Sequence, residues 1–205
     1  DKWSENPAML DGNFVHALNM HPSDPDLIIY TGISKSSSNL KIMASRNMGQ
    51  DFEVIGKNLP NRYVTDIEFS PNAPDIISIS MDGFLNDHIY LSKNGGSSWS
   101  NPGKGLPDIT VHCILFHPES SKIIYAGNDF GLFVTWDEGE SWYNATDSTM
   151  DAIPVYDLKL LKEENKIGIF THGRGVFTCN LIKPTISSTR PDIPKFQDLA
   201  YAFSE

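Results

Sequence analysis

Residues 135–142 read TWDEGESW and set Asp137, Glu138 and Glu140 around Gly139, between two tryptophans. Carboxylates this close can share a hard cation, work as an acid–base pair, or fix a tight turn. A second group of chemically capable residues is scattered. His88 follows Asp82 and Asp87 in MDGFLNDH, Asn128 and Asp129 lie in NDFG, and His172 and Arg174 lie in THGRG, with Arg62 further back in NRY. Imidazoles, carboxylates and guanidinium groups in glycine-rich stretches suit ligand binding on loops.

The octet is not unique. SRNMGQDF and SKNGGSSW share its layout of hydroxyl, any, Asp or Asn, any, Gly, any, any, aromatic. The repeated positions are Ser45, Asn47, Gly49 and Phe52, then Ser92, Asn94, Gly96 and Trp99, then Thr135, Asp137, Gly139 and Trp142. The copies begin at 45, 92 and 135, at intervals of 47 and 43 residues, which marks a structural repeat. Two of three copies carry Asn, a poor ligand for a hard cation but a good turn former. The octet therefore reads as a structural hairpin and neither a metal nor a catalytic site, and no cofactor is expected. Glu138 and Glu140 fall at unrepeated positions and are expected in solvent. Trp99 and Trp142 are expected to be buried anchors.

What positions these turns repeats in phase with them. VHALNMHP, VTDIEFSP and VHCILFHP are aligned apolar runs, and VYDLKLL is a fourth without the proline. A second run follows each (DLIIYTG, DIISISMDG, KIIYAGNDFG, KIGIFTHGRG), and a third leads into the octet (LKIMAS, HIYLS, LFVT). The fourth copy has GVFTCNL there and no octet. Each unit is about four short strands of β-branched and aromatic residues without helical period. Repeated four-stranded units of this length predict an all-β propeller with inner strands starting near Val15, Val64, Val111 and Val155.

The octet resembles the Asp box, or BNR repeat, of Asp-box β-propellers, and the closing VYDLKLLKEENKIGIFTHGRGVF resembles the last blade of secreted bacterial propellers of this type. The likeness covers residues 1–182. It speaks for fold more than function, because such propellers include sialidases, xyloglucan hydrolases, sortilin-like receptors and a photosystem II assembly factor. DKWSENP aligns with SSWSNPG, so that Trp3 matches Trp99 and the chain begins inside an octet. That predicts the C-terminal part of a larger propeller of six to eight blades, with earlier blades or a second chain expected against it. The alternative is that residues 1–10 supply the outer strand missing from the fourth copy and close a four-bladed ring, with Trp3 beside Phe177. Residues 183–205, with Pro184, Pro191 and Pro194, read as a linker or tail whose apolar end docks on the propeller or a neighbour.

In a propeller, loops joining second to third strands, and loops joining blades, meet on one face. That face is expected to carry Asp82, Asp87, His88, Asn128, Asp129, His172, Arg174 and Arg62 as its ligand-binding residues, with the octets at the opposite end. His16 aligns with His112 and His21 with His117, so both pairs read as architectural. Asp66 and Asp157 point inward and are expected to accept backbone N–H bonds from a neighbouring blade.

Sialidase-like catalysis needs an arginine triad. The chain has only Arg46, Arg62, Arg174 and Arg190, and two of these lie in an octet and the tail. Xyloglucan-hydrolase-like catalysis needs two carboxylates ~5–10 Å apart across a cleft, and Asp82, Asp87 and Asp129 offer at most one side of it. The expected role is thus a non-catalytic binding propeller of a secreted or cell-envelope protein, taking a glycan or protein ligand. Part of a propeller glycoside hydrolase and a structural subunit of an extracellular assembly are the alternatives. A formal net charge of −10 argues against nucleic acid as a partner, and no apolar run is long enough to span a membrane. Cys113 and Cys179 are expected as buried free thiols.

Overall fold

The computed structural model describes residues 14–33, 39–146, 150, 152–184 and the backbone of 196–198. The strands are β1 (Phe14–His21), β2 (Asp24–Ile33), β3 (Leu40–Arg46), β4 (Glu53–Ile55), β5 (Val64–Ser70), β6 (Ala73–Met81), β7 (Ile89–Ser92) and β8 (Val111–His117). They continue with β9 (Ser120–Asn128), β10 (Gly131–Thr135), β11 (Tyr143–Asn144), β12 (Val155–Leu161), β13 (Lys166–Thr171), β14 (Val176–Asn180) and β15 (Phe196–Asp198). One three-residue 3-10 turn, Lys162–Glu164, is the sole helical element among the described residues. The strands form four antiparallel sheets in chain order, β1-β2-β3-β4, β5-β6-β7, β8-β9-β10-β11 and β12-β13-β14-β15. Inner strands β1, β5, β8 and β12 pack in succession, whereas β1 and β12 do not pack on each other as neighbours do.

Two sheets depart from the expected units. In the second, the outer strand shrinks to a single bridge between Leu91 and Ser100. In the fourth, the segment expected as a tail returns: β15 pairs with β14, placing Phe177 opposite Asp198 and Cys179 opposite Phe196. The edge at 176–181, expected to need another chain or residues 1–10, is thus taken by residues 196–198, since an open strand edge is rarely left bare. Trp3 and the rest of 1–13 lie outside the described residues.

Burial runs unbroken along residues 77–81 of β6 and 123–128 of β9, so both faces of the second and third sheets are covered by neighbours. Ile67, Phe69, Ile77 and Ile79 fill the layer between the first and second sheets with Ile29 and Ile42. Ile114, Phe116 and Ile124 fill the next with Ile89 and Leu91, and Leu158, Ile167 and Ile169 the last with Cys113 and Tyr125. Cys113 and Cys179 are buried thiols, as expected. Burial pushes the Cys113 thiol well up, the nearby Asp66 and Asp157 carboxylates reinforcing it.

The octets close identically in three blades. The hydroxyl of Ser45, Ser92 or Thr135 accepts the amide of Gly49, Gly96 or Gly139 at 2.8, 2.8 and 2.9 Å. It also donates to Oδ1 of Asn47, Asn94 or Asp137 at 2.9, 3.0 and 2.6 Å. That oxygen accepts the amides of Asp51, Ser98 and Ser141 at 3.0, 2.8 and 2.9 Å. The fourth and fifth positions are both left-handed, at φ 58 and 79° in the first octet, 64 and 86° in the second, 62 and 89° in the third. The fifth is always Gly; Met48 and Glu138 hold the strained fourth because their amides bond Asp26 O and Lys122 O. Asn serves as well as Asp because the turn itself needs only the Oδ1 acceptor; the Asn47 and Asn94 amide nitrogens donate in addition to Asp51 Oδ2 and Ser98 Oγ at 3.0 and 2.8 Å. Replacing Asp137 by Ala is expected to cost about 1 kcal/mol, like loss of a helix cap. Denaturant unfolding checks this, and Asp137→Asn should be nearly neutral.

The octet aromatics differ in depth. Trp142 is 4% exposed. Trp99, expected buried, is like Phe52 only half-buried. Its indole donates to Gly96 O at 3.1 Å. Glu138, expected in solvent, pairs instead with Lys93 of the preceding octet. One blade earlier Arg46 Nη2 donates to Gly95 O at 3.4 Å. The second position of one octet thus reaches the fourth position of the next, stitching the rim.

Candidate ligand-binding face

The octets sit beside the turns between first and second strands, as the bonds to Asp26, Asp75 and Lys122 carbonyls show. The loops joining second to third strands lie at the other end, with the loops joining blades: Asp82 N donates to Tyr63 O and His172 N to Pro154 O. The expected division of the molecule into an octet end and a loop face holds.

Each inner strand begins with a bulge. The register slips between Val15 and Ala17, Val64 and Asp66, Val111 and Cys113, and Val155 and Asp157. The extra residue is His16, Thr65, His112 or Tyr156. A bulge re-aims its side chain out of the alternation, which leaves His16 and Tyr156 exposed at the loop end and Thr65 and His112 half-buried there. His16 meets Tyr63 edge-on at 4.6 Å. Thr65 donates to Val111 O at 2.5 Å. His112 stacks on Tyr156 at 4.2 Å and 12°, and Tyr156 lies 5.6 Å from His172. His112 Nε2 also pairs with Asp129 Oδ1 at 2.8 Å. Tyr156 was not legible as a surface residue, since alternation alone assigns its position to the strand interior. The valine-plus-one repeat was the available signal.

Among the described loops that join second to third strands, that of the second blade, residues 82–88, is the longest, and it is held tightly. Leu85 N donates to Asp108 Oδ1 at 2.8 Å, Gly83 N to Thr110 Oγ1 at 3.1 Å, and Arg62 Nη2 to Phe84 O at 3.4 Å. His88 Nε2 meets Asp108 Oδ1 at 3.0 Å. Desolvation raises the Asp108 carboxyl, but the His88 and Leu85 hydrogen bonds outweigh it and hold the group below its ordinary range. This frame displays Phe84 at 62% and Leu85 at 91% exposure, with Leu85 left-handed at φ 59°. A cleft of about 370 Å³ lies beneath, lined by Asn86, Asp87, His88, Leu106 and Asp108 among others.

The predicted ligand residues therefore divide. Asp87, His172 and Arg174 are exposed on the loop face and Asp82 and Asp129 half-exposed. Arg62 is exposed but braces the 82–88 loop. His88 is buried at 4%, and Asn128 is wholly buried with Oδ1 accepting Phe130 N at 2.8 Å. Asp66 does bridge blades: Oδ1 accepts Ile67 N at 2.8 Å and Oδ2 accepts Ile114 N of the next blade at 2.9 Å. Among the described residues no group of three or more His, Cys, Asp or Glu could hold a metal ion.

No family model matches the chain, and no curated protein matches it. Solved structures do. A GH74 enzyme of Niastella koreensis aligns over 80% of this chain and 28% of its own, with TM-score 0.64 and 15% identity. The GH74 xyloglucanase of Xanthomonas campestris aligns over 88% of this chain and 32% of its own, at 0.61 and 13%. YCF48 bound to D1 peptide aligns over 82% of this chain and 65% of its own, at 0.53 and 12%. The fold is a β-propeller. The chain spans about a third or less of the two GH74 chains, and identities this low speak to fold alone. Within the described residues no helix of the propeller is long and apolar enough to cross a membrane.

Proposed function

We propose that the chain belongs to an Asp-box propeller of a secreted or cell-envelope protein that binds a partner through its loop face without chemistry. The observation that supports it is the exposed apolar display there. Tyr63, Phe84, Leu85, Phe130 and Tyr156 are each 49% exposed or more, on bulges and on braced loops that cost little to order on binding. Exposed aromatics on rigid loops suit protein and sugar ligands alike. That YCF48 binds a peptide favours a protein ligand. The carboxyls held above their ordinary range, Asp66 and Glu68, lie between inner strands and not on this face.

A second reading follows the GH74 likeness: Asp82, Asp87 and Asp129 would serve one side of a glycosidase cleft. The two separate by experiment. We expect binding on glycan or peptide arrays that falls at least tenfold in Tyr156→Ala and Phe84→Ala, with no reducing sugar released from xyloglucan. Sugar release that Asp129→Asn abolishes would replace binding by hydrolysis.

A further inference from the structure

The cleft beneath the 82–88 loop is lined from residues 85–108, between that loop and the strap that leads to the third blade. Its hydrogen-bond donors are spent. His88 Nε2 meets Asp108 Oδ1 at 3.0 Å, and since a carboxylate only accepts, Nε2 carries the ring proton. Asn86 Nδ2 is turned to Asp82 O at 3.5 Å. The backbone amides of Leu85, Gly103 and Leu106 go to Asp108 Oδ1, Asn101 O and Gly103 O. Acceptors remain. His88 is 4% exposed, and its Nδ1, a bare acceptor in the neutral ring, is buried with no hydrogen-bond partner. Asn86 Oδ1 is buried and unpartnered as well. Buried polar atoms are seldom left unpaired, so two in one lining mark a place short of donors.

Two carboxylates give these acceptors a sign. Asp87 is exposed, with Oδ2 accepting Asn101 Nδ2 of the strap at 2.5 Å. The Asp108 side chain is 51% exposed. No lysine or arginine is among the described lining residues, while Leu106 supplies an apolar wall. A volume of about 370 Å³ is at the small end for ligand pockets and suits one side chain better than a chain of sugars. A sugar hydroxyl both donates and accepts, and it finds no spare donor here. A phosphate or carboxylate meets only repulsion. The complementary group has an apolar stem and a cationic head made of donors alone. A guanidinium fits better than an ammonium, because its planar fork pairs carboxylates two bonds at a time and gives up its hydration more readily. The formal net charge of −10 draws a basic partner from a distance.

We propose that this cleft takes an arginine side chain of a protein partner, its stem along Leu106 and its guanidinium on the Asp87 and Asp108 carboxylates. The protein source rests on the binding role proposed above; the preference for a cation rests on the cleft alone.

Nuclear magnetic resonance of the full chain separates the two. N-acetyl-arginine amide is expected to shift the Leu85 and Leu106 methyl resonances, and its uncharged isostere, N-acetyl-citrulline amide, to leave them in place. Asp87→Asn, an isosteric change at an exposed site, should weaken the arginine titration about fivefold, as for loss of one half-exposed ion pair. Glu163→Gln, an equal loss of charge at the octet end, should not. On peptide arrays varied at one position among arginine, lysine, citrulline and glutamine, arginine should bind best, and Asp87→Asn should lose that preference. Absent shifts, equal shifts with both amides, or an unchanged titration in Asp87→Asn would overturn the cleft assignment. Array binding with no arginine preference overturns it too and leaves the loop-face role standing. Arginine shifts together with binding to glycans alone would keep the cation subsite and overturn its protein occupant.

Discussion

Replacing Trp142 by alanine is expected to destabilise the fold by about 3–5 kcal/mol, the range for removing a buried aromatic. Two losses combine, both of the side chain, since alanine keeps the backbone amide. The indole is 4% exposed within the third blade's layer, beside Phe116 and Phe133. Its Nε1 donates to Pro102 O at 2.7 Å, and without it that carbonyl has no replacement donor of the same reach. Its own amide bonds Lys104 O at 3.0 Å, so the residue ties the octet to the strap that joins the second and third blades. Trp142→Phe should recover most of the volume and cost about 1 kcal/mol, the worth of one hydrogen bond. Trp99→Ala, at a half-buried site, should fall below Trp142→Ala. Urea unfolding of the three variants decides this, and a neutral Trp142→Ala would remove the octet's aromatic from the stability argument.

The second large effect is a pH dependence centred on Glu68. Burial pushes its carboxyl from 4.5 up to about 8, with the neighbouring Asp66 carboxylate adding to it and Lys159 opposing it. Asp66 itself rises to about 6, from burial first, while the Ile114 and Ile67 amides pull it down. A carboxyl raised in the folded state is protonated there while the unfolded chain ionises. Its contribution is therefore complete below about pH 4.5 and is lost progressively up to about pH 8. Glu68→Gln should stabilise the protein by roughly 3 kcal/mol at pH 9 and hardly at all at pH 4, given about 1.4 kcal/mol per pKa unit and residual screening. Unfolding midpoints at the two pH values test this; parallel pH curves for parent and variant would show that Glu68 is not held neutral.

Much of the fold follows from local pattern. Alternating apolar runs closed by His-Pro or Ser-Pro, and the hydroxyl–Asx–Gly octet, depend on neighbours a few residues away, so their period alone yields four sheets, the inner strands and the hairpin role of Asp137. The octet's side-chain chemistry is equally local, since the hydroxyl and Asx hydrogen bonds span at most four residues, and only the fourth-position amides reach farther, to Asp26 O, Asp75 O and Lys122 O. The sequence also places Asp66 between blades, because a carboxylate in an apolar inner strand has few other ways to be satisfied.

Only the tertiary structure decided the rest, where a residue's fate depends on a distant segment. Residues 196–198 become the fourth blade's outer strand because β14 offers a free edge, a fact invisible from a proline-rich stretch. Trp99 and Trp142 occupy the same repeat position, yet one is half-buried and the other buried, because the Trp142 indole is taken up by the distant Pro102 carbonyl while the Trp99 indole bonds Gly96 O of its own octet. The bulge at the start of each inner strand turns Tyr156 outward against the alternation, with His112 stacked on it, while His88, read as a loop ligand, is drawn inside by Asp108. Whether Leu18 is core or surface depends on what covers its sheet, and that is set by packing between blades and not by any pattern within one.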